Sequence, residues 1–268
     1  MKSALVFLVL CLAMPLYAQQ SVPVGTVLPV VLNSSLSLKS KPGETISARV
    51  MQNVPATPGF TIHAGSKIVG RIVEVTPSNS GSAASITISL DTLVVSHRKI
   101  PIVTDLRALA SPSEIDAAQI PDTGPDRGTA PAVYTTNQVG GEVVYRGGGP
   151  VTDGSEVVGK PVPGGVLGRI RPSDSGRCRA GIEGNDRPQA LWLFSTDACG
   201  VYGVPGVEIA HAGRSDPLGR IVLSAKEGNL KIRGGSGMLL RVVAASPPTA
   251  SAQFSPSNRN ISRLQASL

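Results

Sequence analysis

The side chains best suited to chemistry lie between residues 175 and 216. Ser175-Gly176-Arg177-Cys178-Arg179 sets a cysteine between two arginines, and His211-Ala212-Gly213-Arg214 follows it in the chain. Nearby cations favour a thiolate, and an imidazole beside it would complete an activated nucleophile. Cys199 alters that prospect, because it offers Cys178 a disulfide partner and a bonded sulfur cannot attack. His211, Ser215 and Asp216 also supply the residue types of a Ser/His/Asp triad. Triad members normally converge from distant segments, whereas Ser215-Asp216-Pro217-Leu218-Gly219 spells a tight turn in which Asp216 should bond nearby backbone amides. His211, Arg214 and Asp216 are therefore candidate ligand contacts rather than catalytic groups. Trp192 joins them, since Pro188–Phe194 and Tyr202 gather three of the few aromatic rings. On an exposed face these rings would stack a sugar or a partner protein. Strand alternation instead puts Trp192 and Phe194 on one side, close in sequence to Cys199, which favours a ring packed over a disulfide in a β-sandwich core.

The cysteine–arginine and histidine segments resemble cell-wall L,D-transpeptidases, which hold a nucleophilic cysteine, followed closely by arginine, near a histidine. In that family the histidine segment precedes the cysteine; here the order is reversed. The resemblance implies the alternative function, a cell-wall or carbohydrate-active enzyme using the region from Cys178 to Asp216. The remaining motifs do less. His63, His97 and His211 share no metal-ligand spacing. Ser96-His97-Arg98-Lys99 matches a Ser-x-x-Lys spelling, but it falls in a hairpin gap where a turn is expected rather than a helix start. Gly147–Gly149 and Gly234–Gly237 lack the lysine and helix of a phosphate loop. No catalytic residue, metal or cofactor is expected.

Composition agrees with a protein that is not a large enzyme. Among 268 residues there are 30 glycines and 22 prolines, while aromatics make up 3% and charged residues 16%. That balance disfavours helical bundles and suits short strands joined by many turns. Lys2 followed by an apolar run from Ala4 to Met14 and a small residue at Ala18 reads as a secretory signal peptide over residues 1–18. No later segment is long and apolar enough to be a transmembrane anchor. Loss of Lys2 with the leader would lower the formal charge of +7 to +6. Such a surface suits anionic lipids or cell-wall polymers. Specific nucleic-acid binding is disfavoured, because basic residues are not interleaved with stacking aromatics. With Cys11 in the leader, Cys178 and Cys199 are the two cysteines left in an oxidising compartment, which predicts one disulfide.

The elements that must position these residues are strands. The fold class expected is all-β, with two β-barrel or sandwich modules joined by a short helix and a Pro/Gly-rich linker. Residues 22–110 form the first module, where Ile86, Ile88 and Leu90 alternate with polar neighbours as a half-buried strand requires. Ser111-Pro112-Ser113-Glu114 is a capping-box sequence with proline at the first helical position, predicting a short helix through about Gln119. That helix and the linker fill residues 111–138. Residues 139–245 form a glycine-rich second module carrying Cys178 and Cys199, and 246–268 read as a disordered tail.

Three segments carry a further resemblance: Val22–Leu32 with its Gly25-Thr26 pair, Lys41–Val50, and Ile62–Arg71 with Ala64-Gly65-Ser66 before a glycine-containing strand. Their order resembles the TrbI-type β-barrel domain of conjugation and type IV secretion channels, over about a third of the chain. The resemblance implies a barrel facing the periplasm, and the chain as a whole looks like an uncharacterised secreted bacterial protein. These readings together give a non-enzymatic exported envelope protein with a scaffolding or binding role, with service as accessory to a secretion or cell-surface assembly as one form of it. Its location would be periplasmic or secreted, with outer-membrane association as a variant. Its partners would be envelope proteins or cell-wall glycan.

Overall fold

The computed structural model describes residues 21–79, 82–120, 135–145, 148–172, 187–212, 214–226 and 229–244. The expected signal peptide, most of the linker, Cys178 and the expected disordered tail lie outside them. Within them the chain is nearly all β. The N-terminal part gives β1 (Val27–Leu32), β2 (Leu36–Ser37), β3 (Thr45–Val50), β4 (Val54–Thr57), β5 (Phe60–Ile62), β6 (Lys67–Thr76), β7 (Ala84–Val95), β8 (Arg98–Pro101) and β9 (Val103–Ala110), then the short helix α1 (Pro112–Ala117). The C-terminal part gives β10 (Thr135–Asn137), β11 (Val143–Tyr145), β12 (Val151–Asp153), β13 (Glu156–Val162), β14 (Gly165–Gly168), β15 (Gln189–Ala190), β16 (Gly200–Tyr202), β17 (Val207–Ala210), β18 (Ile221–Ala225), β19 (Lys231–Ile232) and β20 (Gly237–Ala244).

Ten strands make one strongly curved sheet in the order β16-β9-β20-β1-β3-β6-β7-β18-β17, with β8 paired to β7. Its two ends, β16 and β17, are consecutive in the chain and lie side by side, so the sheet is nearly closed into a barrel. A second sheet is the antiparallel meander β10-β11-β12-β13-β14-β15. The all-β expectation therefore holds, but the boundary between modules does not. The expected division at residue 138 assigned β16 to β20 to a second module, whereas β20 fills the space between β1 and β9, β18 pairs with β7, and β19 pairs with β2. The physical reason is edge satisfaction. Without β20, both β1 and β9 would expose a row of unpaired backbone groups over apolar side chains. The expected linker is also shorter at its C-terminal end, because Thr135–Asn137 pair with β11.

Several local expectations are met for the reasons given. Ser111 caps α1, its side chain accepting from the Glu114 amide, although the Ser111 amide goes to the Tyr202 carbonyl rather than to the Glu114 carboxylate. Ser96 and His97 have φ of 46° and 67°, the paired left-handed conformation of a two-residue hairpin turn, so the Ser-x-x-Lys spelling is a turn. Strand β1 reads as an unbroken apolar run because it is covered on both faces. Leu28, Val30 and Leu32 point into the barrel core, while Val27 and Val31 face a second cluster containing Ile115, Trp192 and Phe194.

One glycine is fixed by close approach. At the bulge between Val69 and Gly70, a Cβ on Gly70 would lie 1.8 Å from the Ser89 carbonyl oxygen, a backbone atom that cannot swing away. Gly70→Ala is expected to cost about 3 kcal/mol through this overlap. A denaturation midpoint equal to wild type would show that the β6–β7 ladder relaxes freely.

Candidate binding cleft

A cleft of about 600 Å³ opens where the second sheet, the barrel and α1 meet. Met51 supplies the barrel wall, Ala118 and Gln119 the helical side, Thr136, Gln138 and Val144 the sheet, and the β13–β14 hairpin from Pro161 to Val166 the rim; Trp192 and Leu193 complete it. None of these side chains is ionisable. The enclosure is therefore built for shape, apolar contact and neutral hydrogen bonding, the usual means by which a small-molecule site fixes an uncharged ligand.

Three buried glutamines frame this region. Gln52 is 1% exposed; its Nε2 donates to the Val166 carbonyl at 2.9 Å, and its Oε1 accepts from the Trp192 amide at 2.7 Å and the Val166 amide at 3.2 Å. Gln189 accepts from the Val27 amide at 3.1 Å and donates to the Arg187 carbonyl at 3.0 Å. Gln138 differs. Its Nε2 donates to the Phe194 carbonyl at 2.8 Å, but its Oε1 has no donor although the residue is 5% exposed. An orphaned buried amide oxygen is costly, and here it belongs to a residue of the cleft wall.

Segment 190–199 carries the cleft and is irregular rather than a strand. Trp192 has φ +53°, so the alternation expected for Ala190–Phe194 stops after Ala190. Gln52 holds the Trp192 amide, and the Val166 carbonyl accepts from the Leu191 amide at 3.0 Å. The expectation that Trp192 is chiefly a core residue is met, at 6% exposure, and it lines the cleft as well. Further along, Glu142 clasps Thr196: its Oε2 accepts from the Thr196 amide at 3.0 Å and its Oε1 from the Thr196 hydroxyl.

Burial pushes the Glu142 carboxyl above its ordinary value of 4.5, with the two Thr196 bonds pulling the other way, Asp197 adding repulsion and Arg171 attraction. A carboxyl whose pKa is higher folded than unfolded binds more protons in the native state over the window from about 4.5 up to its raised value. Its contribution is therefore most favourable below that window and is lost as pH rises through it. Glu142→Gln keeps an acceptor for the Thr196 amide and removes the titration. Relative to that variant, wild type is expected to gain stability on acidification from neutral pH to below 4.5. Parallel denaturation curves of the two proteins at each pH would contradict this.

The other sequence candidates lie elsewhere. His211, Arg214 and Asp216 are exposed in the loop between β17 and β18, and Trp192 belongs to a different cluster. Cys199 is buried and packs against Ala212, so the structure does bring one cysteine to the histidine-bearing loop. Asp216 is not the turn-forming residue expected. Ser215 takes that role: its hydroxyl accepts from the Gly219 amide at 3.0 Å and donates to Asp105, which is fully buried on β9 and needs donors. Arg107, two residues along β9 and 1% exposed, donates from Nε to the Ala198 carbonyl at 2.7 Å and from Nη2 to the Arg171 carbonyl at 2.8 Å. Sequence reasoning passed over Asp105 and Arg107, although two charges in the fully buried and mostly apolar Val103–Ala110 are a visible signal of a polar layer. Isolated glutamines give no such signal.

Among the described residues, no group of three or more His, Cys, Asp or Glu side chains is placed to hold a metal ion, and no helix is long and apolar enough to cross a membrane. No protein-family model, curated protein or solved structure matches this chain.

Proposed function

We propose that the chain is a non-enzymatic exported envelope protein that works by binding, with the cleft beside Trp192 as its site for an uncharged ligand such as the neutral part of a cell-wall glycan. The observation that carries this reading is the cleft wall itself: an indole, an amide oxygen without a donor and no ionisable side chain. Sugar rings offer apolar faces for the indole and hydroxyls for the amide, and require no counter-charge. Export rests on the leader-like residues 1–18, and a Cys178–Cys199 disulfide follows from the even cysteine count in an oxidising compartment. Such a bond would constrain the unfolded chain by about 3 kcal/mol. Periplasmic or secreted placement and a scaffolding role beside a secretion or surface assembly agree with the TrbI-like order of motifs.

Incubation with purified peptidoglycan separates binding from turnover. Retention of the protein on the polymer without release of soluble fragments is the expected result, with retention lost in Val162→Phe, which narrows the cleft. Fragment release that disappears in Cys178→Ser or His211→Ala, with folding intact, would replace this reading by the enzymatic one.

A further inference from the structure

The barrel register aligns basic residues across neighbouring strands. Arg49 on β3 is the direct partner of Lys67 on β6, Lys67 of Val94 on β7, and Val94 of Lys99 on β8. Direct partners project to the same side of a sheet, and Arg49, Lys67 and Lys99 are all exposed. With strands about 4.8 Å apart, three cations and one half-buried valine span roughly 15 Å in a single row on the outer wall. No described acid answers them: Arg71 takes Asp91, Lys226 takes Glu208, and Arg171 takes Asp153 and Glu156. Like charges directly opposite one another destabilise an antiparallel pair, so the Arg49–Lys67 juxtaposition works against the fold unless something anionic faces it.

We infer that this row is a docking face for an anionic bilayer surface, contacted through lipid phosphates. A row on a sheet wall meets a plane of headgroups along its whole length, and Val94 between Lys67 and Lys99 provides apolar contact at the boundary. The row lacks the stacking aromatics that a single-stranded nucleic acid would use. This inference is independent of the cleft; it rests on the exported-protein reading only for which membrane is met.

The test is sedimentation of the purified protein with phosphatidylcholine vesicles, with and without phosphatidylglycerol. The zwitterionic vesicles subtract any apolar insertion by residues 4–14. Binding is expected only with the anionic lipid, weakening as salt is raised. Neutralising each of Arg49, Lys67 and Lys99 to Gln should lower partitioning about fivefold, and the triple variant about a hundredfold. A control with Lys39, Lys41 and Lys231, also exposed, changed to Gln carries the same change in charge at other positions. Equal loss in that control would reduce the effect to net charge and overturn the assignment. So would undiminished binding by the triple variant, or competition by short DNA or inorganic phosphate at concentrations that leave ionic strength unchanged.

Discussion

Arg107→Ala is expected to lose about 4 kcal/mol of stability, read as a fall in denaturation midpoint. The side chain is 1% exposed and ties together two carbonyls far apart in sequence, those of Arg171 and Ala198. Truncation leaves both acceptors without this donor, at about 1–3 kcal/mol each, and opens a cavity as well. Arg107→Lys is the sharper comparison, because a single ammonium cannot reproduce two donors set in a fixed fork. Recovery of full stability by lysine would mean that charge, not the fork, holds those segments.

Gln52→Leu is expected to cost about 3–5 kcal/mol, since it leaves the Trp192 and Val166 amides unanswered in a buried setting and takes one of two donors from the Val166 carbonyl. The same change should alter the fluorescence of Trp192, the only tryptophan in the chain, because its backbone is held in a left-handed conformation by that amide. Gln52→Glu separates the two acceptor bonds from the donor bond: it keeps acceptors for Trp192 and Val166 and loses only the donor to the Val166 carbonyl. Its loss should therefore be smaller than that of leucine. A leucine variant with wild-type stability and emission would show that the second sheet does not depend on this residue.

These two residues also mark what the sequence made legible. Strand positions followed from alternation at Ile86–Leu90, the helix from Ser111 and its proline, and the hairpin from the turn at Ser96-His97. Each is a local pattern, decided within a few residues. Which strands pair is not local. β20 closes on β1 across most of the chain, and nothing in Gly237–Ala244 names its partners, so a module boundary drawn from composition cut through a single barrel. The cleft was hidden for the same reason. Gln52, Gln138 and Trp192 come together through bonds between residues far apart in sequence, and a lone glutamine in a polar stretch looks like any surface residue. The Asp105–Ser215 contact likewise joins two segments that no turn signal relates, which is why the turn chemistry was assigned to the neighbouring Asp216.

The central claim is that the cleft beside Trp192 binds an uncharged glycan and does not transform it. Tryptophan emission tests this most directly, because a ligand seated against the one indole must change its surroundings. Titration with neutral N-acetylglucosamine oligomers is expected to shift or quench Trp192 emission saturably, to leave the oligomers intact, and to do neither in Val162→Phe. Emission unchanged at saturating oligomer, or oligomers shortened during the titration, would contradict it.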